Sequence, residues 1–118
     1  MRSMLIIETP ALAKLFGEIF EALGWAVVIC NNHACAMSRV AGSEPYDVIL
    51  LSYDMPGTTG VQITRFIRSL EHRMMTAVVM LTSSAEIMDE AKAAGVDEVL
   101  NNPVNISSLI LAVSKHVG

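Results

Sequence analysis

Short apolar runs alternate with longer amphipathic stretches along this chain. Residues 4–7 are continuously apolar, as expected of a strand covered on both faces. Thr9 is placed to cap a helix, and Pro10 suits its first turn. Leu12, Leu15, Phe16, Ile19, Phe20 and Leu23 then fall on one helical stripe, which Gly24 is placed to end. A second apolar run covers 25–30, and a weaker helix 34–41. The turn Gly42-Ser43-Glu44-Pro45 leads to a third run at 48–51, and a polar, glycine-containing loop follows at 52–60. Ile63, Phe66, Ile67 and Leu70 mark the next helix, and 77–81 is a fourth run. Ser83 and Glu86 have the spacing of a capping box, for a helix ending near Gly95. A short fifth strand is expected at 97–100. Asn105 is placed to cap a last helix with the stripe Ile106, Leu109, Ile110, Val113 and Val117, and Gly118 follows directly.

Five strands alternating with five helices predict an α/β fold, a parallel sheet with helices on both faces. In such open sheets, ligands bind beyond the carboxyl ends of the strands, where the strand order reverses. Those ends carry Glu8, Ser52 to Asp54, Thr82 with Ser83, and Asn101 with Asn102. A functional site is expected among them.

The chain has 118 residues, enough for one compact domain over 1–118 and not for two. Apolar residues make up 53% and charged residues 17%, which favours a well-filled core over disorder. The net charge is -4 with eight Lys and Arg, so the basic face of a nucleic-acid binder is not expected. No apolar run reaches the length of a membrane span, and Glu8 interrupts the first run before it could serve as a secretory core. The chain is read as cytoplasmic, with no membrane partner. Cys30 and Cys35 fit a reducing compartment and not a disulfide framework.

Several segments resemble the response-regulator receiver family, in order and at family spacing. Glu21-Ala22-Leu23-Gly24-Trp25 looks like the end of that family's first helix. Tyr46-Asp47-Val48-Ile49-Leu50-Leu51, with Met55-Pro56 and Gly60, is similar to its third strand and following loop. Val79-Met80-Leu81-Thr82 resembles the fourth strand with its switch threonine. Ala93-Ala94-Gly95-Val96-Asp97 and Asn102-Pro103 resemble the end of the fourth helix and the loop after the fifth strand. The resemblance implies a CheY-like, flavodoxin-like three-layer sandwich: a doubly wound five-stranded parallel sheet in the order 2-1-3-4-5. It also implies a signalling module of a two-component phosphorelay, not an enzyme.

A working receiver of this kind takes a phosphoryl group onto an aspartate. Two further carboxylates hold Mg²⁺, a hydroxyl meets the phosphoryl oxygens, and a lysine neutralises charge. Phosphoryl transfer is mostly positioning and electrostatic stabilisation, and Mg²⁺ prefers charged oxygen ligands. By the resemblance, the phosphoacceptor position reads Ser52, an uncharged hydroxyl and a poor nucleophile without a base. The two acidic positions after the first strand read Ile7 and Glu8, and the lysine position reads Asn102. Thr82 matches outright. The switch-aromatic position reads Val99, which puts the usual aromatic coupling in doubt. The losses balance: a buried lysine is costly without anionic partners, whereas Asn102 beside Ser52 needs only ordinary hydrogen bonds. Asp54 is either a solvated loop residue, an alternative acceptor, or a helper to Glu8 in holding a cation. Thr82 is either a switch or a hydroxyl satisfying a backbone group at a strand end.

Other candidates carry less. Cys30, His33 and Cys35 lack a fourth zinc ligand and read as a buried cysteine pair beside a surface histidine. His72 and His116 lie near predicted helix ends, without a catalytic triad. Met74 and Met75 read as core or edge packing. Flavin binding would need a phosphate loop, and neither Glu8-Thr9-Pro10 nor Gly57-Thr58-Thr59-Gly60 matches one. The first expectation is therefore a pseudo-receiver that signals by protein–protein contact without aspartyl phosphorylation. Its partner would be a histidine kinase, an output domain or another regulator, with a homodimer as an alternative. The docking face implied by the family covers parts of 87–94, Val99 and 106–117. No cofactor is expected. The alternative is a receiver phosphorylated on Asp54 or Ser52, with weak Mg²⁺ near Glu8.

Overall fold

The three central apolar runs become strands buried between helices, and the two outer ones are part-exposed strands beside them. In a computed structural model that describes residues 1–117, they form one parallel sheet; Gly118, expected to follow the last helix, lies outside the described residues. The strands are β1 (Ser3–Ile7), β2 (Ala26–Cys30), β3 (Val48–Ser52), β4 (Ala77–Thr82) and β5 (Glu98–Asn101). Their order is β2-β1-β3-β4-β5, the doubly wound order expected from the sequence. The helices between and after them are α1 (Pro10–Ala22), α2 (His33–Ala41), α3 (Gly60–Ser69), α4 (Met88–Ala94) and α5 (Ile106–Lys115).

Alternate strand residues feed two cores. Leu5, Ile7, Ile49, Leu51, Val78 and Met80 pack under α2, α3 and α4. Met4, Ile6, Val48, Leu50, Val79 and Leu81 pack under α1 and α5. Every residue of β3 and β4 is buried, which is why those runs show no polar alternation. Each buried large aliphatic side chain contributes roughly 1.5–3 kcal/mol. The register pairs Ile7 with Leu51, Ser52 with Leu81 and Thr82 with Asn101. That alignment gathers the strand ends into one cluster at a single edge of the sheet.

Several local expectations are corrected. Cys30 and Cys35 form a disulfide, because the end of β2 and the first turn of α2 bring their Cα atoms to 5.4 Å; neither is a free thiol. Met74 and Met75 are exposed, at 59% and 96%, because they follow a short 3-10 turn (Glu71–Arg73) outside the core. Leu15 and Leu23 leave the stripe of α1 and face solvent. Thr9 precedes α1, but its side chain makes no capping bond, being turned to Glu8 instead. No capping box forms at Ser83 and Glu86: a 3-10 turn (Ala85–Ile87) intervenes before α4. A capping box stands instead at Thr59 and Gln62, at the start of α3. The loop 52–60 holds a small antiparallel ladder pairing Asp54 with Thr59 and Met55 with Thr58.

Candidate functional site

The site is built around Glu8, which leaves the sheet directly after β1. Its N–H donates to the Cys30 carbonyl at 3.1 Å, and its carbonyl accepts from Asn31 Nδ2 at 3.0 Å. This double clamp turns the side chain inward, and the residue is only 3% exposed. Oε1 accepts from the Thr9 N–H at 2.8 Å and from the Thr9 hydroxyl at 3.3 Å. Oε2 is buried and has no hydrogen-bond partner among the described residues. The Ser52 hydroxyl faces the same carboxyl without closing a regular bond to that oxygen. Burial pushes the Glu8 carboxyl above the ordinary glutamate range; the Thr9 bonds and Ser52 oppose this, and the charge of Asp54 adds to it.

Ser52 ends β3 and is 6% exposed. The chain beyond it is held by Tyr53 N–H on the Leu81 carbonyl and Gly60 N–H on the Tyr53 carbonyl, each at 2.8 Å. Gly60 is required here by space. A Cβ at that position would lie 2.7 Å from both the Ser52 carbonyl oxygen and Leu51 Cδ1. Asp54 is exposed on the small ladder, near enough to bear on Glu8 but outside the buried cluster.

Thr82, 2% exposed, ends β4; its Oγ1 accepts from the Ser84 N–H at 3.1 Å. Asn102 N–H donates to the Thr82 carbonyl at 2.9 Å, which ties the two strand ends together. The Asn102–Pro103 peptide is cis. The Asn102 side chain is half-buried at the rim of an apolar groove of about 500 Å³ that Leu12, Phe16 and Val104 also line. Ile7 and Val99 belong to the core beneath α2, α3 and α4.

The strand ends thus bring Glu8, Ser52, Thr82 and Asn102 to one edge, with Asp54 outside. Three contributors were missed in the sequence. Thr9 reads from the sequence as a cap, Asn31 carries no signal there, and Gly60 enters only through the resemblance and the rejected phosphate loop. The Thr59-x-x-Gln62 spacing was the available signal for where α3 begins.

The donor set does not fit a resident Mg²⁺. Mg²⁺ is held by several hard, charged oxygens in near-octahedral array. Here Ile7 offers no ligand, Ser52 is neutral, and the negative charge comes from one buried carboxylate and one exposed one. Among the described residues no group of three or more His, Cys, Asp or Glu gathers in a metal-holding arrangement. Nor is any described helix long and apolar enough to cross a membrane.

Residues 4–114 match the family model described as the response regulator receiver domain. The chain is 30% identical over 106 residues to the signal transduction histidine-protein kinase BarA of Escherichia coli K12, covering 88% of this chain. It spans only 11% of that kinase's length. The chemotaxis response regulator CheY4 of Vibrio cholerae superposes with a TM-score of 0.91 at 22% identity, over 99% of each chain. The receiver domain of the sensor histidine kinase PA1611 of Pseudomonas aeruginosa PAO1, solved with magnesium in its active-site cleft, gives 0.85 at 20% identity over 97% of this chain and 95% of that one. Both solved structures bear on the fold alone.

Proposed function

The chain belongs to the response regulator receiver family, and from that premise we propose that it is a two-component signalling module acting through protein contact without aspartyl phosphorylation. One observation carries the reading: the buried carboxyl of Glu8 lies beside a neutral Ser52, with its Oε2 unpartnered among the described residues. A phosphoryl group adds negative charge, and phosphoryl transfer needs compensating cations. At the two positions where the family would supply them, this chain offers Asn102 for the lysine and a donor set unsuited to Mg²⁺. An incoming phosphoryl group would meet the charge of Glu8 with little to offset it.

The proposed module is one domain, with Ser52, Ile7, Glu8, Asp54, Thr82 and Asn102 as its altered pocket. Its partner, a kinase, output domain or other regulator, would meet the face of α4, β5 and α5. A second reading draws on the same Oε2. A carboxylate oxygen without a partner could hold a weakly bound cation while Ser52 or Asp54 accepts phosphate.

Intact-mass spectrometry after incubation with acetyl phosphate and Mg²⁺ separates the two. The expected result is no added phosphoryl mass while a phosphorylatable receiver is modified in parallel. A stoichiometric adduct would overturn the proposal, and hydroxylamine would then distinguish an acyl phosphate on Asp54 from a stable ester on Ser52.

A further inference from the structure

The chain contains two cysteines, and the fold joins them across the segment that hydrogen-bonds the Glu8 backbone. Cys30 is the last residue of β2 and is 1% exposed. Cys35 lies in the first turn of α2 and is half-buried. The segment they bracket is also the clamp on Glu8: the Cys30 carbonyl takes the Glu8 N–H, and Asn31 Nδ2 donates to the Glu8 carbonyl. Asn32 begins α2, its side chain accepting from the Cys35 N–H at 2.8 Å. The cross-link therefore ties the start of a helix to the end of a strand across the residues that hold the pocket's buried carboxylate.

We propose that Cys30 and Cys35 are a reversible thiol-modification site, opened and closed by a cellular dithiol or thiol–disulfide couple, which sets the order of the 30–35 loop and through it the position of Glu8. The proposal rests on the pseudo-receiver reading only for what the switch would control, namely a module that takes a signal by a route other than phosphate.

The chemistry balances with that partner named. A thiolate of the reductant attacks Cys35 Sγ, the more accessible sulfur, forming a mixed disulfide and releasing Cys30 as thiolate. A second thiolate attacks the reductant's sulfur, releasing Cys35 and leaving the reductant oxidised as a disulfide. Two electrons pass to the protein, and each released thiolate takes a proton from water. Closure is the reverse reaction. In reducing compartments such protein disulfides usually serve as transient or sensing bonds and not as permanent staples.

Opening need not unfold the domain. β2 keeps its full ladder with β1, and Cys30 and Cys35 remain packed in or against the core under α2. What is lost is the tether across 31–34, so the effect is confined to that loop and to Glu8.

The test uses the whole chain, oxidised and reduced. Protein purified without reductant and alkylated in denaturant should take up no carbamidomethyl group, and after dithiothreitol it should take up two. Across a series of glutathione redox buffers the change should follow one reversible two-electron transition. On reduction, amide hydrogen exchange over residues 31–36 and at Glu8 should quicken about tenfold or more, with β3 and β4 unchanged. Cys35→Ser, and separately Cys30→Ala, should show the reduced exchange pattern and form no intramolecular disulfide at any glutathione ratio. If either variant loses its native circular dichroism, the wild-type pair of states carries the test alone. Two free thiols after treatment with oxidised glutathione would overturn the inference. So would a bond whose reduction leaves exchange at Glu8 and 31–36 unaltered. A phosphoryl adduct, by contrast, would sink the pseudo-receiver reading and leave the bond untouched.

Discussion

Glu8 and Arg73 are buried to nearly the same degree, at 3% and 2% exposure, and the fold treats them in opposite ways. Arg73 is satisfied. Its Nε donates to the Val40 carbonyl at 3.0 Å, and its Nη2 donates to the Arg39 and Gly42 carbonyls at 3.2 and 2.9 Å. Its guanidinium stacks over the Tyr46 ring, 4.8 Å from the centroid. These carbonyls belong to the end of α2, where a cation also meets the negative end of the helix dipole. Glu8 is left with one oxygen unpartnered among the described residues, and its neighbour Asp54 is of like charge. Away from the strand ends, then, the fold completes its polar bonds. At the strand ends it carries an unmet one, and buried polar groups without partners call for an explanation beyond stability.

Three variants would break or sharpen that contrast. Arg73→Met, which keeps the bulk and removes the donors, should cost about 3 kcal/mol in urea unfolding, because the Arg39 and Val40 carbonyls lose this side-chain donor and the Gly42 carbonyl is left with His72. A loss below about 1 kcal/mol would mean that the satisfied site is not a staple.

Arg68→Ala should cost about 2 kcal/mol. Arg68 donates to the Arg73, Met74 and Thr76 carbonyls before β4 and to the Gly95 carbonyl and Asp97 before β5, joining α3 to the loops that lead into both strands. Combined with Arg73→Met, it should depart from additivity, since Arg68 Nη1 holds the Arg73 carbonyl.

Glu8→Gln should have the smallest effect and the opposite sign, a gain of about 1 kcal/mol at neutral pH. The folded protein holds the Glu8 proton more tightly than the unfolded chain does, since burial raises its pKa. The wild type is therefore at its full stability below the ordinary glutamate range and loses part of it as pH rises through the folded value. The variant lacks that loss, so unfolding midpoints of the two proteins should diverge upward in pH. A constant offset from acid to neutral pH would argue that Glu8 does not titrate in this window.

Most of the sheet was legible because its strands are covered on both faces. Residues 48–51 and 77–81 read as strands from apolarity alone, and β5 was displaced by one residue because its shorter run begins beside charged Asp97 and Glu98. Caps were less legible. Thr59-x-x-Gln62 and Ser83-x-x-Glu86 have equivalent spacing, yet only the first forms a box, since a 3-10 turn starts two residues after Ser83. The Cys30–Cys35 bond depends on where a strand end meets a helix start, which spacing alone does not determine. The burial of Arg73 depends on the carbonyls at the end of α2, which no spacing along the chain announces. Of the candidate pocket, the strand-end rule indicated Glu8, Ser52, Thr82 and Asn102 as neighbours. The unmet oxygen, a property of three-dimensional packing, was not visible.

The nearness of Ser52 to Glu8 also constrains the routes by which this pocket could change through descent. An aspartate restored at 52 would place a second negative charge against Glu8 while Asn102 offered none in return, and a lysine restored at 102 would meet a single carboxylate in place of a full acidic set. Each reversion alone meets a charge imbalance that the other would relieve.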